Sequence, residues 1–148
     1  MQFVEKFFGN SRFDIGTIDL IKPEWKSDKI SIYDHLKYKY VMALEGNDVA
    51  SNLKWIMSSN SIAVMPKPYY ETWFMEGTLK PDYHYIEVKP DFSDLEEKMD
   101  YYTAHPDEAQ AIINHAHEYV EQFKDKQRED IISLMVLDKY FSLLKSKD

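Results

Sequence analysis

The residues best suited to bind a ligand follow directly after a short apolar run at residues 40–44. Such a run is typical of a strand buried on both faces, and ligands gather where the strands of an open α/β sheet end. Gly46 allows a ligand to approach the backbone closely, and Lys54 can neutralise a diphosphate. The candidate residues of this turn and of the helix predicted after it are Gly46, Asn47, Asp48, Ser51, Asn52 and Lys54.

A helix predicted over residues 49–58 is a second feature that favours phosphate binding at this turn. The first turn of a helix presents unpaired N–H groups and a partial positive charge. The alternative interpretation is that Asn47 or Asp48 only caps this helix, because the turn holds one glycine and lacks the G-x-G-x-x-G pattern. Both interpretations stay open on spacing alone.

A second group of candidates follows the next apolar run, at residues 61–65. Because consecutive parallel strands usually lie side by side, we expect these residues beside the first turn. Lys67 can meet an anion, and Glu71 can accept hydrogen bonds from ribose hydroxyls. Tyr69 or Trp73 can stack on a base. The alternative is that Glu71 is an ordinary first-turn acid of a helix over residues 71–75 and that Trp73 belongs to the core.

Other chemistries find no support in the residue types and their spacing. The chain has no cysteine, which excludes disulfides, zinc–thiolate sites and cysteine nucleophiles. His115 and His117 are two positions apart on a predicted helix and therefore point to different faces, and His84 is interpreted as a core residue of a strand. No HExxH, GxSxG or D-x-D pattern occurs. We therefore expect no metal and assign no catalytic residue.

The elements that must position these residues alternate between strand and helix. Apolar runs predict strands at residues 40–44, 61–65 and 83–88, with helices between them and three further helices after the third strand. Alternation of this kind predicts parallel strands joined by crossovers. The expected fold is therefore α/β, with a short parallel sheet and a helical C-terminal part.

The predicted division of the chain sets residues 1–29, which are poorly patterned, apart from an α/β domain over residues 30–148. Within the first segment, a helix at residues 3–8 is expected to end at Gly9, and a short strand is predicted at residues 15–21.

The last predicted helix, from near residue 130 onward, is apolar on nearly every side. A helix of this kind is expected to be buried on more than one side. Either it threads the core, or a partner domain or subunit covers it. The residues expected to contact a second chain, or a second copy of this one, are Ile131, Met135, Tyr140, Phe141 and Leu144.

The charge of the chain bounds its partners. Its formal net charge is −8 over 148 residues, which argues against nucleic acid or an anionic membrane as a partner. No stretch approaches the ~20 apolar residues that a membrane span needs. The first residues carry charge too early for a signal peptide, so the cytoplasm is the expected location.

Several segments, in order along the chain, resemble the core signature of glycosyltransferase family 90. They read KYKY at residues 37–40, LEGNDVASNLKW at residues 44–55, MPKP at residues 65–68, ETWFMEG at residues 71–77 and DFSDL at residues 91–95. That family includes bacterial lipopolysaccharide-modifying transferases of the LpsA type and eukaryotic protein O-glucosyltransferases. The bacterial branch is the more similar.

The resemblance implies a GT-B arrangement in which this chain is the C-terminal, donor-binding half, a Rossmann-like three-layer domain. It implies transfer of a sugar from a nucleoside diphosphate sugar, usually a UDP-sugar, to lipopolysaccharide or another surface glycan, with no cofactor. On that basis the turn from Gly46 to Asn52 and Lys54 face the diphosphate, and Glu71 faces the ribose or the sugar. The C-terminal helix of a GT-B enzyme commonly packs across the other domain.

Members of the family are longer than this chain, and the domain that supplies their catalytic carboxylate precedes the matched region. About thirty poorly patterned residues stand in its place here, so we expect the acceptor-side domain and the general base to be absent. Leu53 and Lys54 stand near the position of an arginine in many eukaryotic relatives, which leaves phosphate neutralisation to Lys54. The alternative function is a non-catalytic remnant or interaction domain that associates through its apolar C-terminal helix.

Overall fold

A small parallel sheet organises residues 2–18 and 22–145, the part of the chain that the computed structural model describes. Its strands are β1 (Tyr40–Met42), β2 (Ile62–Met65) and β3 (Ile86–Glu87), paired in parallel in the order β1-β2-β3. Tyr40 lies opposite Ile62, and Val64 lies opposite Ile86. The predicted α/β fold with a short parallel sheet is confirmed.

Both faces of the sheet are buried. Successive strand residues point to opposite faces, and the side chains on each face belong to a different apolar cluster. Ile62 and Val64 belong to one apolar cluster, whereas Ala63 and Met65 belong to another. All four residues of β2 are buried, as its continuous apolar run predicts. This central strand therefore has packed side chains above and below it.

Helices supply the rest of both clusters. The α-helices of the described residues are α1 (Gln2–Phe7), α2 (Ile32–His35), α3 (Leu53–Met57), α4 (Leu95–Ala104), α5 (Pro106–Glu121) and α6 (Lys126–Lys145). Helices are confirmed after the third strand, and one of them, α5, buries an apolar stripe made of Ala109, Ile112, Ile113, Ala116 and Val120. The helix predicted at residues 3–8 is also confirmed, and Gly9 follows it with φ of 81°.

The helix predicted over residues 49–58 is shorter than expected, since α3 begins only at Leu53. The preceding residues form turns instead. The N–H of Gly46 donates to the carbonyl of Asp48 at 3.1 Å, and the Asp48 carboxylate accepts from the N–H of Val49 at 2.8 Å. Local bonds of this kind compete with a helix, which explains the late start of α3.

The prediction of a helix over residues 71–75 is wrong. These residues form turns and lead into a short 3₁₀ helix at Glu76–Thr78. Met75 adopts φ 54° and ψ 52°, a left-handed conformation that an α-helix of L-residues cannot continue. The amide of Thr72 bonds to the Glu76 side chain rather than to a helical carbonyl.

Two predicted strands are also corrected. The strand expected over residues 83–88 is reduced to β3, because Tyr83 and His84 lie in a turn in which the His84 N–H donates to the Lys80 carbonyl at 2.9 Å. For the strand expected at residues 15–21, the described part makes only an isolated bridge between Thr17 and Lys26, and residues 19–21 lie outside the described residues.

The last helix does not thread the core, so that alternative is wrong. α6 starts at Lys126, earlier than predicted, and the five side chains expected to contact a partner are between 49% and 66% exposed. Within residues 2–18 and 22–145, no helix is both long and apolar enough to cross a membrane. α6 therefore presents an extended apolar surface to its surroundings.

Candidate functional site

The carboxyl ends of the three described strands meet at one edge of the sheet, where a cleft of about 310 Å³ opens. Its lining follows each strand in turn, with Glu45 after β1, Pro66 after β2 and Pro90 after β3, and Phe3 of α1 closes one side. Ligands of open α/β sheets bind at this kind of edge. None of the candidate residues lines this cleft. They lie in the two loops that follow β1 and β2, except Lys54, which belongs to α3.

Glu45 joins these two loops. Its carboxylate accepts hydrogen bonds from the N–H of Tyr69 at 3.0 Å and from the N–H of Tyr70 at 3.1 Å. The segment after β2 is thereby held against the turn after β1, and the expected neighbourhood of the two groups is confirmed. Sequence reasoning did not single out Glu45, although its place directly after the first apolar run was a usable signal.

The turn at residues 46–51 is open to solvent. Gly46, Asn47, Asp48 and Ser51 are exposed, and no heavy atom lies within 4 Å of the position that a Cβ on Gly46 would occupy. Gly46 is not among the residues with positive φ, so its conformation does not require glycine. Because Gly46 has no side chain, a ligand has room to approach the backbone closely.

Neither Asn47 nor Asp48 caps the helix, so that alternative is wrong. Asn52 occupies the N-cap position of α3 without a capping bond from its side chain, and its Nδ2 instead donates to the carbonyl of Met42 at 2.9 Å. Asn52 thus ties the end of the turn to β1. Because α3 has five residues, it supplies little of the helix dipole that a longer helix would offer.

Lys54 lies in a network with two residues of the second loop. Its Nζ is 3.3 Å from Oε1 of Glu76 and 3.3 Å from Oγ1 of Thr72. Thr72 also donates to the Glu76 carboxylate through its N–H at 2.6 Å and its hydroxyl at 2.7 Å. The Lys54 side chain is 45% exposed and the Glu76 side chain only 2% exposed. An ammonium group is thus held at the surface by a carboxylate beneath it.

Glu76 stays ionised in this environment. Burial raises the pKa of Glu76, but the hydrogen bonds from Thr72 and the charge of Lys54 outweigh it and bring the pKa below its ordinary value. Sequence reasoning missed Glu76 and Thr72 as members of the site. Burial of a glutamate depends on contacts between loops and leaves no mark in the local pattern.

The remaining candidates of the second loop are placed around this network. Lys67 is exposed, and the carboxylate of Glu71 lies 3.2 Å from the position that a Cβ on Gly77 would occupy. Glu71 is not a first-turn helix acid, because no helix forms there. Trp73 is not a core residue, since it is 49% exposed and its Nε1 donates to Glu129 of α6 at 2.7 Å. Its ring is accessible to a planar ligand.

The histidines do not form a metal site. His84 accepts a hydrogen bond from the N–H of Lys80 at 3.0 Å, and burial, with the charge of Lys80, lowers its pKa. The ring of His115 stacks on Tyr83 with centroids 3.6 Å apart. Among the described residues, no group of three side chains is arranged to hold a metal ion.

A larger cleft of about 690 Å³ runs along β1, away from Lys54. It lies between β1 and the N-terminal segment, with Ile15 and Ile30 on one side and Tyr40, Met42 and Asn52 on the other. Asn52 therefore borders both this cleft and the turn that holds the first group of candidates.

Comparison with known proteins identifies similar sequences. Residues 13–148 match the family model described as Glycosyl transferase family 90. The chain is 43% identical, over 98% of its length, to O-glucosyltransferase LpsA of Dichelobacter nodosus, of which it covers 46%. It is 28% identical to human Protein O-glucosyltransferase 3 over 82% of this chain and 24% of that protein. The chain thus spans less than half the length of these relatives.

Proposed function

The chain belongs to glycosyltransferase family 90, and on this premise we propose that it forms the nucleotide-sugar-binding part of a glycosyltransferase. The proposed donor is a UDP-sugar, and the proposed acceptor is lipopolysaccharide or another surface glycan. Similarity to a bacterial protein named O-glucosyltransferase LpsA supports the bacterial version of this activity. The proposed architecture is one Rossmann-like half of a GT-B arrangement.

The observations that carry the proposal are the Lys54–Thr72–Glu76 network and, in the same segment after β1, the open turn at Gly46. A diphosphate needs donors and positive charge. The turn offers exposed backbone next to Gly46, and Lys54 offers an ammonium group that is held in place but still 45% exposed. The turn and α3, which carries Lys54, both follow the carboxyl end of β1, and nucleotides bind at the carboxyl ends of strands in open α/β folds.

Each candidate residue has a role in the proposed complex. Glu71 accepts hydrogen bonds from the ribose or the sugar, and the exposed ring of Trp73 stacks on the base. Asn52 orients the turn through its bond to β1. The residues proposed to face the diphosphate are Gly46, Asn47, Asp48, Ser51, Lys54 and Lys67.

Transfer requires more than the donor site. We assign no general base to the described residues, and in the proposed arrangement an acceptor-side domain facing this one supplies it. The chain covers 46% of the length of the bacterial relative, which leaves room for such a domain in a full-length enzyme. Binding of the donor is therefore the property to test on this chain.

Thermal unfolding with UDP, uridine and ADP tests the proposal. A ligand that binds only the folded state stabilises it, so UDP at ten times its Kd is expected to raise Tm by roughly 3–5 °C. Lys54→Met is expected to abolish this shift. Lys124→Met, which removes an exposed lysine paired with Glu121 and not with the Lys54 network, is expected to retain it. An unchanged Tm at millimolar UDP, or an equal shift with ADP, would contradict the proposal.

A second candidate function is favoured by the exposure of α6. The apolar side chains that the described chain leaves about half exposed, on more than one side of α6, are Ile131, Met135, Tyr140, Phe141 and Leu144. Large exposed apolar surfaces mark interaction sites. In this version the chain is a non-catalytic interaction domain that associates with a second chain or a second copy of itself.

A further inference from the structure

The loop that carries Glu71 and Trp73 has a strained backbone at its centre. Met75 lies in the left-handed region, with φ 54° and ψ 52°, and it is neither glycine nor asparagine. Such conformations persist only where surrounding contacts fix them, and they cluster at functional sites. The contacts around Met75 therefore indicate what the loop is built to hold.

Bonds from α5 and from the loop itself fix this conformation. The Tyr119 hydroxyl donates to the carbonyl of Phe74 at 2.6 Å and lies 3.0 Å from the carbonyl of Met75. The N–H of Thr78 donates to the Met75 carbonyl at 2.9 Å. The next residue after Met75 is Glu76, whose carboxylate the loop directs inward.

The Glu76 carboxylate is buried and accepts from three donors: the N–H and the hydroxyl of Thr72 and the ammonium of Lys54. A buried ion pair is weak support for stability, because an apolar pair of similar volume often does as well. The Glu76 carboxylate instead fixes the position of the Lys54 ammonium group. At 2% exposure Glu76 itself cannot reach a ligand, whereas Lys54 can.

We propose that Glu76 is a positioning residue, whose buried carboxylate holds the Lys54 ammonium where it meets the diphosphate of the bound nucleotide. The inference rests on the proposed function. Glu76 acts through its bond to Lys54, whereas its bonds to Thr72 hold the loop and are separate from this role. The opposing interpretation is that Glu76 merely neutralises Lys54, and the two interpretations predict opposite changes in affinity.

Isothermal titration calorimetry of the full chain with UDP and with uridine distinguishes the two interpretations of Glu76. Glu76→Gln preserves volume and an acceptor for Thr72 but removes the charge that holds Lys54. Positioning predicts that UDP affinity falls roughly tenfold, the effect of one charged contact, while uridine affinity is unchanged. In a Lys54→Met background, Glu76→Gln is expected to have no further effect on UDP. The matched control Glu121→Gln, which breaks the exposed pair with Lys124, is expected to leave both affinities unchanged.

Lys54→Arg serves as a second variant that retains the charge on an exposed side chain. Its guanidinium can still pair with the Glu76 carboxylate and with a phosphate, so UDP affinity is expected to be retained better than in Lys54→Met while uridine affinity holds. UDP affinity that rises or stays constant in Glu76→Gln overturns the inference, as does an equal loss for UDP and uridine. A wild-type chain that binds uridine but gains nothing from the diphosphate overturns it as well. A wild-type chain that binds neither ligand overturns the proposed function itself.

Discussion

At the scale of single residues, the site depends on a charge that is buried rather than exposed. The folded-state pKa of Glu76 lies below its ordinary value because hydrogen bonds from Thr72 and the charge of Lys54 outweigh the effect of burial. A lowered pKa means that ionised Glu76 stabilises the fold above its unfolded-state pKa of about 4.3. This contribution is lost as the pH falls through the folded-state pKa.

Urea unfolding of the wild type and Glu76→Gln at neutral pH and near pH 3 tests this linkage. The wild type is expected to be the more stable at neutral pH, and the difference in unfolding free energy is expected to shrink in acid. The other carboxyl groups with lowered pKa, Asp34 and Asp91, are present in both proteins and cancel. An equal difference at the two pH values would show that Glu76 does not depend on its charge.

Residue types and spacing predicted part of this site. Lys54 was identified because it follows a glycine turn after an apolar run, and the proximity of the two loops followed from parallel pairing. The partners of Lys54 were not predicted. Thr72 and Glu76 were not singled out as site residues, and only the fold of the second loop brings them to the ammonium group.

At the scale of elements, continuous and periodic apolar patterns were sufficient to predict several strands and helices. They predicted β1, β2 and α5, whose burial follows directly from the spacing of their apolar residues. The pattern wrongly predicted a helix at residues 71–75. There the hydroxyl and the N–H of Thr72 donate to the Glu76 carboxylate, and Met75 adopts a left-handed conformation. Side-chain bonds of this kind override local propensity.

The sequence pattern of α6 predicts an apolar helix but does not identify what covers it. If α6 associates with a second copy, light scattering is expected to give twice the chain mass at micromolar concentration. Met135→Lys combined with Phe141→Lys places charge on side chains that are 66% and 55% exposed, and is expected to return the monomer. Asp138→Asn, on the same helix, is the control and is expected to keep the dimer. A monomeric wild type would contradict self-association.

At the scale of the whole molecule, a proposed donor site and an exposed apolar helix occur in one chain. The donor candidates lie in α3 and in the two loops that follow β1 and β2, and Trp73 links the second loop to α6 through Glu129. The chain spans 46% of the length of its bacterial relative. Both features fit a domain that binds the donor and meets another domain or chain, which is the arrangement proposed above.

Nuclear magnetic resonance of the ¹⁵N-labelled chain titrated with UDP-glucose tests the central claim most directly, because it reports both binding and its location. The relatives named O-glucosyltransferases make this sugar nucleotide the appropriate probe. Donor binding at the carboxyl edge predicts saturable shifts of the amides at residues 46–54 and 67–77. Shifts confined to the cleft along β1, at Ile15 and Ile30, or no shift at millimolar UDP-glucose, would contradict it.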